Sequence, residues 1–385
     1  MQNRQLKLLG LLLAGALVLW LTGCGPKAIK PKSVLDTPQN HFSQGMRELE
    51  RGNLDLAMQE FERAKALDPN YAESYAGMAL VHATKQDFQK AMELADQALA
   101  KNKNSLDGRI IKGRIITMRR KGDDWMEEAV KEFKKAAEQY PRSDKPLYYM
   151  GITYKEGYDF GQAAIAFAKV IEMKGDYAAA ADKEWAVVQK IQRAAPGTKI
   201  GAKIALIPEI SRADLAVLLM EELKLMELLE KKRPKTYDTG FRPPEDVTKM
   251  AQPTATLPAV TDIEGHWARN WIKDIVAAQG MEVFPDHTFR PDEKIIRANY
   301  AKTMQDIMIL ATGDQSLATK FIGESSPFPD VNPSHWAFNA IMLMVSRGIM
   351  APDKMTGEFR LNDHMSGADA LLAIRDFQNA LRMTF

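Results

Sequence analysis

The residues with the clearest chemical potential lie near the start and in the C-terminal part of the chain. Cys24 is the one cysteine in 385 residues, and its thiol could carry an acyl group. Arg212 and Arg297 each begin a predicted helix, where a guanidinium can form two hydrogen bonds to a carboxylate. Trp267 and Trp336 each follow a histidine and could offer a flat face to a sugar ring. These residue types favour modification and binding over catalysis.

Arrangements typical of enzymes are missing from the sequence. It has no H-E-x-x-H, no G-x-S-x-G, no phosphate-binding loop and no cysteine pair, so we expect a protein without catalytic residues, cofactor or metal. His41 and His82 lack a second ligand at metal-binding spacing. The net charge of +2, from 52 basic and 50 acidic residues, argues against nucleic acid as a partner.

Residues 1–23 have the composition of a signal peptide, with Arg4 and Lys7 before an apolar run from residue 8 to residue 21. A membrane-spanning helix is the alternative, but it needs about 20 apolar residues, and polar or small residues interrupt this run first. Leu21-Thr22-Gly23-Cys24 resembles the bacterial lipobox. The resemblance implies cleavage before Cys24 and a diacylglyceryl group on its sulfur. Residues 24–37 have no apolar periodicity and are predicted to be an extended tether.

Residues 38–178 contain an internal repeat of small and aromatic residues at a spacing of about 34 residues. Glycine or alanine at helix crossings lets two helices approach closely, and proline ends the second helix. The pattern resembles the tetratricopeptide repeat in about four copies, the third with extra residues at 121–124. The positions that carry it are Gly45, Ala57, Phe61, Ala64 and Pro69; Ala79, Ala91, Ala95, Ala98 and Lys103; Gly113, Ala129, Phe133, Ala136 and Pro141; and Gly151, Tyr154, Ala163 and Phe167.

A stack of such repeats implies a concave surface for a protein partner, although it could instead serve as a plain spacer. Met46, Leu80, Arg114 and Ile152 occupy the position that carries a carboxylate-clamping asparagine in chaperone-docking members of the family. We therefore expect these four residues to contact a partner, but not by clamping a terminal carboxylate.

The C-terminal part holds a second repeat of different type, which resembles the S-layer homology domain. Its copies are predicted at 259–312 and 325–385, with a degenerate first copy at 179–230 that could alternatively be a capping helix of the stack. The motifs are Asp262, His266-Trp267-Ala268, Phe289-Arg290-Pro291 and Ile296-Arg297-Ala298-Asn299; Phe328-Pro329-Asp330, His335-Trp336-Ala337, Gly357-Glu358-Phe359 and Ser366-Gly367-Ala368-Asp369; and Trp185-Ala186 with Ile210-Ser211-Arg212-Ala213-Asp214.

This resemblance implies three copies about a pseudo-threefold axis, with cell-wall glycan held in grooves between them. Arg212 and Arg297 would hold a sugar carboxylate, together with free N–H groups of the first helical turn, or would form structural ion pairs instead. Trp267 and Trp336 would stack on sugar rings or pack in the core. Gly367 replaces the arginine in the third copy, so one groove is expected to be weak.

Asp262 and Asp330 are expected to cap turns rather than bind ligand, and His266 and His335 to share that structural role. Residues 231–258 are predicted to form a flexible insertion rich in proline and threonine. Its basic start, Lys231-Lys232-Arg233-Pro234-Lys235, would either be solvated or touch anionic lipid or wall polymer.

We therefore predict a mainly all-α protein, a tetratricopeptide solenoid followed by a pseudo-threefold helical domain. It would be a non-enzymatic lipoprotein that binds membrane through lipid on Cys24, wall polysaccharide or peptidoglycan through its C-terminal repeats, and an unknown protein through its solenoid. Gly25 after the lipidated residue favours the periplasmic face of the outer membrane. The alternative is an assembly or localisation factor for an outer-membrane secretion or export machine.

Overall fold

The computed structural model describes residues 28–232 and 260–383, and the chain divides into two compact units, Met1–Glu184 and Trp185–Phe385. The predictions for the signal peptide, for Cys24 and for nearly all of the 231–258 insertion lie outside the described residues. Within 28–232 and 260–383, no helix is long and apolar enough to cross a membrane.

The first unit consists of helices joined by short turns. Helices connected in this way lie antiparallel to their neighbours, and they pack most closely in consecutive pairs along the chain. The helices are α1 Pro38–Glu50, α2 Leu54–Leu67, α3 Ala72–Thr84, α4 Phe88–Lys101, α5 Leu106–Arg119, α6 Trp125–Gln139, α7 Lys145–Glu156 and α8 Phe160–Met173, followed by α9 Ala178–Ala194.

Glycine and phenylalanine meet at the helix crossings of this unit. A Cβ atom added to Gly45 would lie 2.5 Å from the ring of Phe61, and one added to Gly113 would lie 2.6 Å from Phe133. Gly151 and Phe167 repeat the same contact. The three rings are completely buried, so only glycine leaves room for the close approach. The predicted helical-repeat architecture is confirmed.

Side-chain caps fix where several of these helices begin. The Asp87 carboxylate accepts a hydrogen bond from the Lys90 N–H, and the Asp159 carboxylate accepts one from the Gln162 N–H. Ser105 Oγ accepts from the Gly108 N–H at 2.9 Å. Each cap satisfies one of the N–H groups that a helix start leaves without a partner, which explains the regular helix boundaries.

The segment before α1 differs from the predicted free tether. The Ile29 N–H donates to the Ala66 carbonyl oxygen at 2.9 Å. Asp36 is buried, where it accepts hydrogen bonds from Arg63 and from His41. The tether prediction for 24–37 is therefore wrong for residues 29–37, because a buried ion pair and a backbone hydrogen bond fasten them to α1 and α2.

The second unit is also helical, and no strand forms among its described residues apart from isolated bridges. The mainly α fold class is confirmed. After α9 its helices are α10 Lys199–Ala205, α11 Arg212–Glu221, α12 Leu225–Lys232, α13 Arg269–Ala277, α14 Arg297–Thr312, a 3₁₀ helix Gln315–Ala318, α15 Phe338–Ser346 and α16 Gly367–Met383.

A closed ring of three backbone hydrogen bonds lies at the centre of this unit. The Ile210 N–H donates to the Met365 oxygen (2.9 Å), the Ile295 N–H to the Ile210 oxygen (2.9 Å), and the Met365 N–H to the Ile295 oxygen (2.8 Å). All three side chains are buried. Ile210, Ile295 and Met365 thus pair head to tail about one axis, which confirms the pseudo-threefold arrangement. Ile210 lies in the segment predicted as a degenerate first copy.

Each ring residue lies just before a helix of the second unit. Ser211 forms a capping box with Asp214, in which Oγ accepts from the Asp214 N–H and the carboxylate accepts from the Ser211 N–H. Ser366 Oγ likewise accepts from the Asp369 N–H at 3.1 Å. The Ser-x-x-Asp motif therefore starts helices, as predicted.

Candidate functional site

Two aspartates fix a loop within each of the last two copies. The carboxylate oxygens of Asp262 accept hydrogen bonds from the N–H groups of Phe289 and Arg290, both at 2.7 Å. Asp330 accepts from the N–H groups of Phe359 and Arg360 at 2.8 and 2.6 Å. These carboxylates cap turns, in agreement with their predicted structural role.

The arginine side chains extend from one copy to the loop of the next. Arg212 Nε donates to the Phe289 oxygen at 2.7 Å, and Nη2 donates to the Glu282 oxygen at 2.8 Å. Arg297 makes the matching bonds to the oxygens of Phe359 and Ala351, both at 2.8 Å. Neither guanidinium forms an ion pair with a described side chain. They join copies by binding backbone carbonyls, an arrangement that neither sequence-based alternative included.

The two guanidinium groups also stack on the phenylalanines of the loops that they bind. The guanidinium carbon of Arg212 lies 4.7 Å from the ring centroid of Phe289, and that of Arg297 lies 4.6 Å from Phe359. Burial lowers the pKa of Arg212 and of Arg297 from the ordinary value. An arginine nevertheless stays charged in proteins, so each of these two copy boundaries contains a half-buried cation.

The backbone N–H groups beside these arginines are already occupied. The Arg212 N–H donates to the Glu293 oxygen and the Ala213 N–H to the Pro291 oxygen, both at 2.9 Å. The Arg297 N–H likewise donates to the Asp363 oxygen at 2.9 Å. The prediction that free N–H groups of the first turn hold a carboxylate is wrong, because the neighbouring copy's chain satisfies them.

The two candidate tryptophans lie on the surface. Trp267 is 53% exposed and Trp336 is 58% exposed, which rules out the core-packing alternative. His266 and His335 precede them, and their Nδ1 atoms accept hydrogen bonds from the N–H groups two residues later, at 3.1 and 3.2 Å. The histidines therefore hold the turn, and more than half of each tryptophan side chain is exposed to solvent.

One groove brings Arg212 and Trp336 together. It encloses about 320 Å³, and its polar side chains come from the start of α14 and from the loop after α13. Lys302 and Asp306 pair with each other at 2.5 Å across one side of it. The lining residues are Arg212, Gln279, Gly280, Met281, Glu282, Asn299, Lys302, Thr303, Asp306 and Trp336. We call this the Arg212 groove.

Trp267 lines a different groove of about 260 Å³, here called the Trp267 groove, with Ile200, Lys203, Ile204, Ile207 and Asp214. At the neighbouring copy boundary Gly367 stands in the place of an arginine. A Cβ atom on Gly367 would lie 1.8 Å from the Ile204 oxygen, and the Gly367 N–H donates to the Ile207 oxygen at 2.8 Å. Backbone of α10 thus occupies the space of a side chain, and the groove is mainly apolar.

Arg297 lines neither groove. Near it, Lys190 Nζ donates to the Asp369 carboxylate at 2.7 Å. Burial alone would raise the pKa of Asp369, but the hydrogen bonds from Lys190 and Ser366 outweigh it and lower that pKa. The structure therefore brings together Arg212 and Trp336 of the four predicted glycan-binding residues, and it separates Arg297 and Trp267 from that pair.

Residues 261–301 and 327–371 match the family model of the S-layer homology domain. These two segments are similar to that domain. Domains of this family bind cell-wall polymers, so the protein is associated with the cell envelope. The matched segments contain Trp267, Trp336 and Arg297, whereas Arg212 belongs to the first copy, which joins the same hydrogen-bonded ring outside the matched residues.

Two relatives come from Acetivibrio thermocellus. Cell surface glycoprotein 1 is 26% identical over 196 residues, which cover 47% of this chain and 7% of that protein. The cellulosome-anchoring protein is 33% identical over 97 residues, which cover 25% of this chain and 20% of that protein. The chain thus spans at most a fifth of the length of these relatives.

Similar solved structures include a thermophilic TPR protein of Thermus thermophilus, with 18% identity and a TM-score of 0.36 over 50% of this chain and 96% of that one. The pilF protein of Pseudomonas aeruginosa has 14% identity and a TM-score of 0.31 over 80% of this chain and 96% of that one. TM-scores this low do not show that either protein shares the overall fold of this chain.

The four residues predicted to contact a protein partner differ in exposure. Leu80 is 1% exposed and packs in the apolar core with Ala76 and Ile111, so its side chain does not face a partner and that prediction does not agree with the structure. Met46, Arg114 and Ile152 are half-buried. Among them Arg114 stands out, because its guanidinium lies 4.6 Å from the ring centroid of Tyr149.

The sequence reasoning missed Asn299, Lys302, Thr303 and Gln279, which line the Arg212 groove. Asn299 stood within a motif that was recognised. Lys302 and Thr303 lie three and four residues after Asn299. Residues at this spacing share a helix face, and this is the sequence signal that points to them. Among the residues that the structure describes, no cluster of three or more His, Cys, Asp or Glu side chains could hold a metal ion.

Proposed function

We propose that this protein is a non-enzymatic lipoprotein that tethers envelope layers, with lipid on Cys24 in the outer membrane and wall polymer in the Arg212 groove. The observation that carries the proposal is the exposed side chain of Trp336 in a groove lined by polar side chains. Sugar-binding sites combine an aromatic face for the apolar side of the ring with polar groups for its hydroxyls.

The charge balance of the groove limits the kind of polymer that it favours. Lys302 is paired with Asp306, and Glu282 lines the same groove. Arg212 forms no ion pair with a described side chain, so it is the cation that an acidic sugar would meet, beside the Glu282 carboxylate. Its Nε and Nη2 atoms are bound to carbonyls, and the third nitrogen has no hydrogen-bond partner among the described residues. A sugar carboxylate would therefore accept one hydrogen bond from this arginine instead of two, while Asn299 and Thr303 bind hydroxyls.

Co-sedimentation of the full-length protein with purified cell-wall sacculi tests this binding. We expect the wild type to sediment and Trp336→Ala to lose most of its binding, because the stacking surface is removed. Arg212→Ala is a poor probe, since it also breaks bonds that join two copies. Failure of the wild type to sediment, or equal sedimentation of Trp336→Ala, would overturn the glycan assignment.

The lipid anchor is tested separately. We expect the N-terminal peptide of the purified protein to carry the mass of a diacylglyceryl cysteine, and Cys24→Ala to leave the membrane fraction. Unmodified Cys24 in a protein made by its own host would refute the anchor without affecting the wall-binding result.

For the helical repeats, we propose that the surface around Arg114 and Tyr149 contacts a protein partner. Tyr148 and Tyr177 pack on Tyr149, with ring centroids 5.2 and 5.8 Å from it. Tyrosine and arginine clusters of this kind dominate many protein interfaces. In a cross-linking pull-down from envelope extract, Arg114→Ala together with Tyr149→Ala should remove partners that an exposed control, Leu56→Ala on α2, retains. If the double variant retains every partner, the proposed contact surface is wrong and the repeats act as a spacer.

A further inference from the structure

The stretch just before α1 exposes an unusual amount of apolar surface. Val34 is 94% exposed, Leu35 is 73% exposed and Ile29 is 41% exposed. Lys30 and Lys32 lie between them and are also exposed. Single exposed apolar side chains are common on proteins, but a group of them close together in the chain indicates a surface that contacts something else. We call these five residues the leader edge.

The leader edge is held in place. Its first residue is fixed by the Ile29 N–H bond to Ala66, and its last by a hydrogen bond from Asn40 Nδ2 to the Leu35 oxygen at 2.8 Å. Asp36, directly after it, is locked by Arg63 and His41. The apolar side chains are therefore presented outward by fixed backbone, because the contacts with the helices use backbone and polar groups.

The exposed charge of the leader edge is entirely positive. Asp36 is the one acidic residue between residues 28 and 37, and its carboxylate is buried against Arg63. The lysines at 30 and 32 thus have no exposed acidic neighbour on their own segment. A surface that combines apolar side chains with lysines matches the boundary between the headgroups and acyl chains of a bilayer that contains anionic lipid.

We propose that the leader edge lies on the bilayer surface, with Val34 and Leu35 inserted among headgroups and the two lysines against lipid phosphates. This inference rests on the proposed anchor at Cys24. Ile29 lies about five residues beyond Cys24, a distance of at most about 17 Å. An anchored Cys24 therefore keeps the leader edge within reach of the membrane, and the contact would set the orientation of the first helices.

Photo-cross-linking of the lipidated full-length protein in vesicles of phosphatidylethanolamine and phosphatidylglycerol tests the proposal. A benzophenone amino acid at position 35 should form adducts with lipid acyl chains. The same group at Met355, which is fully exposed in the other unit, serves as the control and should not. Absence of lipid adducts at position 35 in protein that stays in the membrane fraction would overturn the proposal.

The lysines give a second, independent readout. Lys30→Glu together with Lys32→Glu should lower the adduct yield at position 35 several-fold, since each lysine near an anionic surface contributes about fivefold in affinity. The control is the same pair of changes elsewhere in the unit, Lys131→Glu and Lys134→Glu. If Cys24 proves unmodified, the proposed anchor is wrong. Cross-linking of the unlipidated protein to the same vesicles then tests membrane contact by the leader edge separately: adducts at position 35 support the contact, and their absence refutes it.

Discussion

Arg212 and Phe289 are joined twice, by a hydrogen bond from Nε to the carbonyl oxygen at 2.7 Å and by stacking of the guanidinium on the ring at 4.7 Å. Arg297 and Phe359 repeat both contacts at the next copy boundary. The arginine of the repeat motif thus links one copy to the next. In the proposed function, ligand selection would therefore fall mainly to the residues around the arginine.

Replacing Arg297 with alanine should destabilise the second unit by about 2–4 kcal/mol, because two carbonyls at the copy boundary lose a charged donor. Urea unfolding measures the change. Arg382→Ala, an exposed arginine on α16, should stay within about 0.5 kcal/mol of wild type. If the two variants have equal stability, the guanidinium is not a structural link.

Gly367→Ala should destabilise the second unit by more than about 2 kcal/mol, because its Cβ would overlap the Ile204 carbonyl and force backbone to move. Gly197→Ala is the matched control in the same unit, since the nearest atom to its Cβ would be a Glu222 side-chain oxygen at 3.6 Å. Thermal unfolding separates them. A harmless Gly367→Ala would mean that the space beside α10 is larger than described.

Gly113→Ala should cost about 1–3 kcal/mol in the first unit, because a methyl group would meet the buried ring of Phe133. Gly161→Ala, at the start of α8 where a methyl group has room, should be neutral or slightly stabilising. Chemical denaturation of the full-length protein, followed by circular dichroism, gives both values. Equal effects would contradict the close helix crossing.

Asp36→Asn should loosen residues 29–35 and speed hydrogen exchange of the Ile29 amide, which is bonded to Ala66. Hydrogen bonds from Arg63, from the Lys32 N–H and from His41 hold the pKa of Asp36 well below the ordinary value. A lowered pKa in the folded state means that the stabilisation is present above about pH 4 and is lost as the pH falls further. Relative to the slower intrinsic exchange of amides in acid, low pH should therefore reproduce the loss of protection seen in the variant.

The control for that experiment is Asp55→Asn, which breaks an exposed pair with Lys85 and should leave the Ile29 amide unchanged. Exchange of the Ile29 amide that is fast in the wild type at neutral pH would show that the segment is not fastened.

Local patterns predicted much of the fold. The glycine and phenylalanine positions repeat at helical-hairpin spacing, so the sequence indicated which residues meet, and Ser211 and Asp214 marked a helix start directly. The contacts that were missed join distant positions. Lys190 and Asp369 are 179 residues apart, and the partners of Asp36 lie on two later helices. No local period encodes such pairs.

The candidate site shows the same division. The His-Trp-Ala motif identified Trp336 but could not tell an exposed indole from a buried one, because exposure depends on the neighbouring copy. The sequence pointed to Arg212 as a site residue but not to its hydrogen bonds with backbone carbonyls. Every residue has a backbone carbonyl, so the residue types do not indicate which ones accept. The packing of α10 beside Gly367 could not be predicted from the sequence either. The absence of an arginine at position 367 indicated only that this copy boundary differs.

The most direct test is the dissociation constant of the full-length protein for soluble, acidic wall-polymer fragments, measured by isothermal titration calorimetry for wild type, Trp336→Ala and Trp267→Ala. Because the Arg212 groove pairs its tryptophan with a cation and polar side chains, we predict roughly tenfold or greater weakening for Trp336→Ala, the loss expected when about 1.4 kcal/mol of stacking is removed, and a much smaller change for Trp267→Ala. Unchanged affinity in Trp336→Ala, with the fold intact, would contradict the account.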